Sequence, residues 1–200
     1  MAINLSRGRA LVVVAHPDDE TIWMGGAMLA HCGIEWTIFA LCRARDKERK
    51  QRFLKALKVF NAKGYISDLE DDDDSLSIKT LGQKAESLLL NKLPRKSYDF
   101  IFTHAKDGEY GNKRHKGVHY AVKNHLQTNL LQTKNFYCFV YEMHKSDKYA
   151  LPKKNADYSF KLTPDIYKKK IKIIRDIYGF TSDSFEYKSC GDIEKFNIIV

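Results

Sequence analysis

The sequence lacks any long apolar run. None approaches the ~20 residues that a membrane-spanning helix requires. Its first stretch, MAINLSRGRALVVVA, has neither an extended apolar segment nor a small-residue cleavage site, so no signal peptide is expected. Cysteine is sparse: Cys32, Cys42, Cys138 and Cys190 are scattered and form no C-x-x-C pair, which points to reduced thiols in a cytoplasmic protein. The glycine pattern G-x-G-x-x-G does not follow the first apolar run, which argues against a nucleotide-binding dehydrogenase. Internal repeats, low-complexity linkers and a clear domain boundary are also missing. A single domain over residues 1–200 is therefore expected.

An apolar fraction of 44% is enough for a sizeable core, and the net charge of +9 is basic. Much of that excess sits in RARDKERKQR (43–52) and YKKKIKIIR (167–175), and both also read as helices with solvated Lys/Arg faces. The acidic run DLEDDDD (68–74) reads as an exposed loop. It lacks the spaced ligands and turn glycine of an EF-hand.

Strand-like runs (RALVVVA, EWTIFALC, YDFIFTHA, NFYCFVYEM and a terminal FNIIV) alternate with helical ones. DETIWMGGAMLAHCG reads as a helix with Gly33 as a stop. In DKERKQRFLKALKVFNAKG the apolar residues Phe53, Leu54, Leu57 and Phe60 share a face. KTLGQKAESLLLNKL, a segment from about Arg114 to Leu131, and LTPDIYKKKIKIIRDIYGF complete the helices, with Pro164 near a helix start. The alternation predicts an α/β fold: a Rossmann-like three-layer sandwich around a mainly parallel sheet. In such sheets ligands bind outside the carboxyl ends of the strands. Both unusual polar clusters have that address: His16–Glu20 after the first strand, and His104–His115 after YDFIF.

A hydrolytic zinc site uses three His or carboxylate ligands and an open position. His16, Asp18, Asp19 and Glu20 supply candidates, and His104, His115 or His119 a distal imidazole. A spare carboxylate can take the proton of an activated water. Taken alone, HPDDE also suits an exposed turn with a helix N-cap. His115 and His119 lie four apart as in H-E-x-x-H sites, but Lys116 stands where the Glu would be.

LVVVAHPDDETIWMGG together with THAKDGEYGNKRHKGVHYAV resembles the PIG-L / LmbE-like family of zinc-dependent de-N-acetylases, over the N-terminal two-thirds of the chain. The resemblance implies an LmbE-like fold and a hydrolase acting on the amide of N-acetylglucosamine-type sugars or glycoconjugates. It implies zinc on His16, Asp19 and His115, with Asp18 as general base for the attacking water and Tyr110 donating to the acyl oxygen. Arg49 falls where a family arginine holds substrate. One departure stands out. The family's second motif, His-Pro-Asp-His, is here Asn112-Lys113-Arg114-His115. Asn112 can still donate a hydrogen bond to the oxyanion but cannot carry a proton, and Arg114 brings positive charge suited to an anionic substrate. Restoring both positions, Asn112→His with Arg114→Asp, is accordingly expected to raise turnover of a simple N-acetylglucosamine substrate.

The alternatives are a family member with altered or lost deacetylation, acting on another amide or ester or only binding a sugar, and a basic nucleic-acid-binding module. The latter needs a compact basic patch interleaved with aromatics, and YKKKIKIIRDIYGF offers only a basic helix. The expected partner is a small-molecule or glycoconjugate N-acetyl sugar, with no nucleic acid and no membrane span. Homo-oligomerisation is left open.

Overall fold

The computed structural model describes residues 5–94, 96–146 and 148–199. Strand β1 (Gly8–Val14) is fully apolar after Arg9 because both its faces are covered. Ala10, Val12 and Val14 enter one core, and Leu11, Val13 and the following Ala15 enter the other. β2 (Ile34–Ala40), β3 (Lys63–Ile66), β4 (Phe100–Thr103) and β5 (Asn135–Phe139) join it in a parallel sheet of order β3-β2-β1-β4-β5. β8 (Tyr158–Lys161) and β9 (Ile193–Ile199) extend that sheet in antiparallel fashion beyond β5.

Helices α1 (Asp19–Ala30), α2 (Lys47–Phe60) and α6 (Pro164–Lys172), with a π-helical turn at Ile173–Ile177, cover one face. α3 (Ile78–Lys92) and α5 (Lys113–Gln127) cover the other. The three-layer α/β architecture expected from the sequence is thus borne out. Caps set the helix starts: the side chains of Asp46, Ser77 and Thr163 accept backbone N–H groups of α2, α3 and α6.

Local readings needed correction in three places. The buried face of α2 is Phe53, Ala56, Leu57 and Phe60, while Leu54 turns outward. NFYCFVYEM is two strands, because the chain leaves the sheet after β5. Its second part, β6 (Tyr141–Met143), pairs with β7 (Ala150–Pro152), and Tyr141 packs its ring on Trp23 and donates its hydroxyl to Trp23 O at 3.0 Å. The short β3 and β8, with partly exposed residues, carry no apolar run from which to read them.

The chain runs outward from β1 through β2 to β3, then returns to place β4 on the other side of β1. That reversal opens a crevice at the carboxyl ends of β1 and β4. His16 and His104 follow those two ends.

The Gly-Gly pair of α1 has a structural cause. The helix breaks at Met24 (φ −150°, ψ 15°), and the N–H groups of Gly26 and Ala27 donate to the two carboxylate oxygens of Glu194 on β9, both at 2.7 Å. Glu194 is fully buried and meets Lys170 Nζ of α6 at 2.8 Å. A Cβ at Gly26 would stand 2.2 Å from Leu162 Cδ2, so only glycine lets α1 lie this close. Removing one partner of a buried pair leaves a charge stranded. Glu194→Ala is therefore expected to destabilise the chain by about 3–5 kcal/mol in urea denaturation. A loss below about 1 kcal/mol would show that the pair does not anchor α1.

Candidate metal centre

The turn after β1 bends sharply. Asp18 takes φ 122°, a strained backbone state for a residue with a Cβ, which costs about 1–3 kcal/mol and needs support. Glu20 supplies it. Its Oε2 accepts the Asp18 N–H at 3.0 Å, and its Oε1 accepts the hydroxyls of Thr21 at 2.5 Å and Tyr178 at 2.8 Å. Burial raises the Glu20 carboxyl, and those two hydroxyls act against it. Asp18 precedes α1 without capping it through its side chain, which removes the N-cap explanation of HPDDE.

Asp19 Oδ1 accepts the indole N–H of Trp23 at 2.9 Å, which fixes the carboxylate plane. Oδ2 accepts the His16 N–H at 2.8 Å and faces three imidazole nitrogens: His16 Nδ1 at 3.2 Å, His115 Nε2 at 3.4 Å and His104 Nε2 at 3.5 Å.

The loop after β4 closes the centre from the other side. A short helical turn, α4 (Gly108–Gly111), carries Gly108 at φ 69°, where glycine is at ease, and Glu109 at φ 58°, where it is strained. This fold-back buries the Glu109 carboxylate. Its Oε1 accepts the Ala105 N–H at 2.7 Å, and its Oε2 accepts Nδ1–H of His104 at 2.9 Å and of His115 at 2.6 Å. The two rings stack with centroids 3.7 Å apart. Burial pushes the Glu109 carboxyl up, but the charge of His104 and the hydrogen bonds from both rings bring it down to about 2. Burial lowers His104, while Glu109 and Asp19 pull it up to about 9. The Ala15 N–H donates to its Nε2 at 2.9 Å, which works against that rise.

His115 is fully buried. With Nδ1 committed to Glu109, its Nε2 has no hydrogen-bond partner among the described residues and points at Asp19 Oδ2. Two acceptors facing one another in a buried site are what a cation would satisfy. His16, Asp19 and His115 form a group able to hold a metal ion, and the Glu109–His115 pair is the carboxylate–imidazole arrangement that orients a ligand. Against burial, hydrogen bonds to Asp19 and Asp71 raise His16 to about 10, so the carboxylates hold a proton where a cation would sit. His119 lies apart, donating Nδ1–H to His104 O at 2.8 Å.

A cavity of about 390 Å³ opens over this group, lined by His16, Asp18, Arg49, Tyr110 and Phe185 among others. Asp18 Oδ2 meets Arg49 Nη1 at 2.5 Å, and the Arg49 guanidinium lies over the Phe180 ring at 5.2 Å. Burial, then Asp19, raises the Asp18 carboxyl, with Arg49 opposing. Tyr110 packs edge-on against His115 and Phe185. Asn112 caps α5, its Oδ1 accepting the N–H groups of Arg114 at 2.8 Å and His115 at 3.3 Å, and its Nδ2 donates to the Tyr110 hydroxyl at 3.3 Å.

Arg114 is placed differently from the sequence expectation. It is buried and does not line the cavity. It reaches the acidic run, where its Nη1 pairs with Asp74 and its Nε donates to Glu70 O at 3.3 Å. The run itself is only partly an exposed loop, because Asp71 turns inward to His16 Nε2 at 2.9 Å. Sequence reasoning missed Glu109 and Asp71. Glu109 lay in a glycine-flanked loop directly after a strand end, which is a usable signal, whereas nothing local separates Asp71 from its acidic neighbours.

No family model matches the sequence. A curated relative, "Uncharacterized protein L374" of Acanthamoeba polyphaga mimivirus, is 24% identical over 182 residues, covering 82% of this chain and 76% of that one. Among solved structures, the 4-carboxy-2-hydroxymuconate hydratase GalB of Pseudomonas putida KT2440 overlays with a TM-score of 0.65 at 14% identity, covering 96% of each chain. The N,N'-diacetylchitobiose deacetylase of Pyrococcus horikoshii overlays at 0.63 and 16% identity, covering 96% of this chain and 83% of that one. The fold is the one these enzymes share, as the resemblance to the LmbE-like deacetylases implied. No helix among the described residues is long and apolar enough to cross a membrane.

The Glu109 contacts make acid stability a test of the centre. A carboxyl held below its ordinary 4.5 stabilises the fold above that pH and loses its contribution as pH falls towards about 2. The metal-free chain should therefore lose stability steeply between those values. Glu109→Gln should be less stable at neutral pH and show a flatter decline. Equal slopes in denaturation series at stepped pH would exclude Glu109 as the acid-sensitive group.

Proposed function

We propose that residues 1–200 form one metal-dependent hydrolase domain of the PIG-L / LmbE-like kind, which removes an N-acyl group from an amino sugar. The observation that carries this reading is the buried His115 Nε2, without a hydrogen-bond partner among the described residues, facing Oδ2 of Asp19, which lines a cavity together with His16, Asp18 and Tyr110. His16, Asp19 and His115 would hold the ion; their imidazole and carboxylate donors suit zinc. When bound, zinc supplies Lewis acidity, polarising an acyl carbonyl and making water easier to deprotonate.

The chain's own residues supply the rest. Asp18, raised by burial and by Asp19, is a carboxylate fit to take a proton from water and return it to the departing amine. Burial and Asp19 raise the Tyr110 hydroxyl too, so it keeps its proton and donates it in a hydrogen bond to the acyl oxygen. Asn112, already holding the Tyr110 hydroxyl, orients that donor rather than carrying protons. Phe185 and Tyr110 offer a sugar ring apolar faces, and Arg49 holds substrate at the rim beside Asp18.

A second reading keeps the metal and the base but changes the substrate, to another amide or ester or to a hydration. It is motivated by Asn112, which removes one proton carrier from the resembled motif, and by the hydratase GalB having the same fold. Metal analysis of the purified chain, followed by amine release from a panel of N-acetylated amino sugars, separates the readings. Stoichiometric zinc with amine release is expected, and zinc with no amine released favours the second. Asp18→Asn should retain zinc while turnover falls by about 10²–10⁴. Undiminished turnover would remove Asp18 from the mechanism.

A further inference from the structure

The acidic run and the altered second motif, read separately in the sequence, meet in space. Glu70 and Asp71–Asp74 are consecutive acids, and such a block ordinarily repels itself and stays solvated. Here two arginines from different elements gather it. Arg43, after β2, contacts Asp71 Oδ2 through Nε at 2.5 Å and Asp72 Oδ1 through Nη2 at 3.0 Å. Arg114, in the first turn of α5, lies 3.5 Å from Asp71 Oδ1 through Nε and also holds Glu70 O and the Asp74 carboxylate. Lys113 adds a bond from Nζ to Asp74 O at 2.6 Å. Asp71 is thereby pressed inward, and its Oδ1 accepts from His16 Nε2 at 2.9 Å.

We propose that Arg114 is a positioning residue: with Arg43 it clamps Asp71 against His16 Nε2, so that His16 Nδ1 is turned towards Asp19 for metal binding. The proposal rests on the metal centre described under Proposed function. A ligating imidazole must have its second nitrogen held, or the ring rotates and the ligand is lost for part of the time. His115 has Glu109 for this purpose. His16, whose side chain is partly exposed, has Asp71 at its Nε2 as the one partner among the described residues. An Asp at position 114, as in the resembled motif, would add another carboxylate beside Asp71 and Asp74 and push the run outward. The arginine and the acidic run are two halves of one device. This reverses the expectation that Asn112→His with Arg114→Asp improves the enzyme: Arg114→Asp should weaken metal binding.

The test is zinc affinity of the 200-residue chain, measured by competition with a chromophoric chelator, with thermal unfolding of each metal-free protein as a check on the fold. Asp71→Asn is expected to weaken zinc by about 10–100-fold, the range for loss of a group that orients a ligand. Arg114→Gln should weaken it about tenfold, and Arg114→Lys, which keeps the charge and supports folding, should recover most of that loss. Because Arg114 acts through Asp71, the double variant Asp71→Asn/Arg114→Gln should bind zinc no more weakly than Asp71→Asn alone. A wild-type affinity in Arg114→Gln, or losses that multiply in the double variant, would overturn the clamp while leaving the metal centre standing. A wild-type chain that binds no zinc would overturn both.

Discussion

A single oxygen, Asp19 Oδ2, organises the site. One backbone N–H donates to it and three imidazole nitrogens approach it within 3.5 Å. Such crowding around an anionic oxygen in a buried place is sustainable only if each imidazole is held from its far side, and each is. Glu109 holds His104 and His115, and Asp71 holds His16. The carboxylates form an outer ring and the imidazoles an inner one, an arrangement able to hold a metal ion at its centre.

The same economy accounts for three successive acids after β1. Asp19 faces the imidazoles, Asp18 faces the cavity, and Glu20 turns away to hold the backbone that makes the other two diverge. The unusual φ of Asp18 falls where the two side chains diverge, and Glu20, held by Tyr178, accepts the Asp18 N–H and keeps that backbone in place.

How much of this was legible in the sequence depended on locality. β1, β2 and the helices announced themselves through period and caps, and the address of both polar clusters followed from their places after strand ends. His16, Asp19 and His115 could be named as a set only through the resemblance, yet they do come together. Contacts between distant segments carried no such signal. Asp71 is one of several like neighbours, and its inward turn depends on Arg43 and Arg114, 28 and 43 positions away by their numbers in the chain. Arg114 itself was read as a substrate contact because a charge in an otherwise matched motif invites that reading. Its real partner is a loop that the motif does not include.

The last third of the chain, the part least readable in advance, bears on the site through packing rather than through ligands. Glu194 takes the N–H groups freed where α1 kinks, and Lys170 takes Glu194, so the helix that begins with Asp19 is anchored to β9 and α6. Tyr178 reaches Glu20, Phe180 lies beneath Arg49, and Phe185 walls the cavity beside Tyr110. Each contact fixes a residue of the N-terminal motif from a position no local pattern would single out. The residues of the candidate metal centre all lie in the first two-thirds of the sequence. The final third braces that centre through Tyr178 and Phe180, and it adds Phe185 and Glu186 to a cavity wall otherwise built from residues at or before position 110.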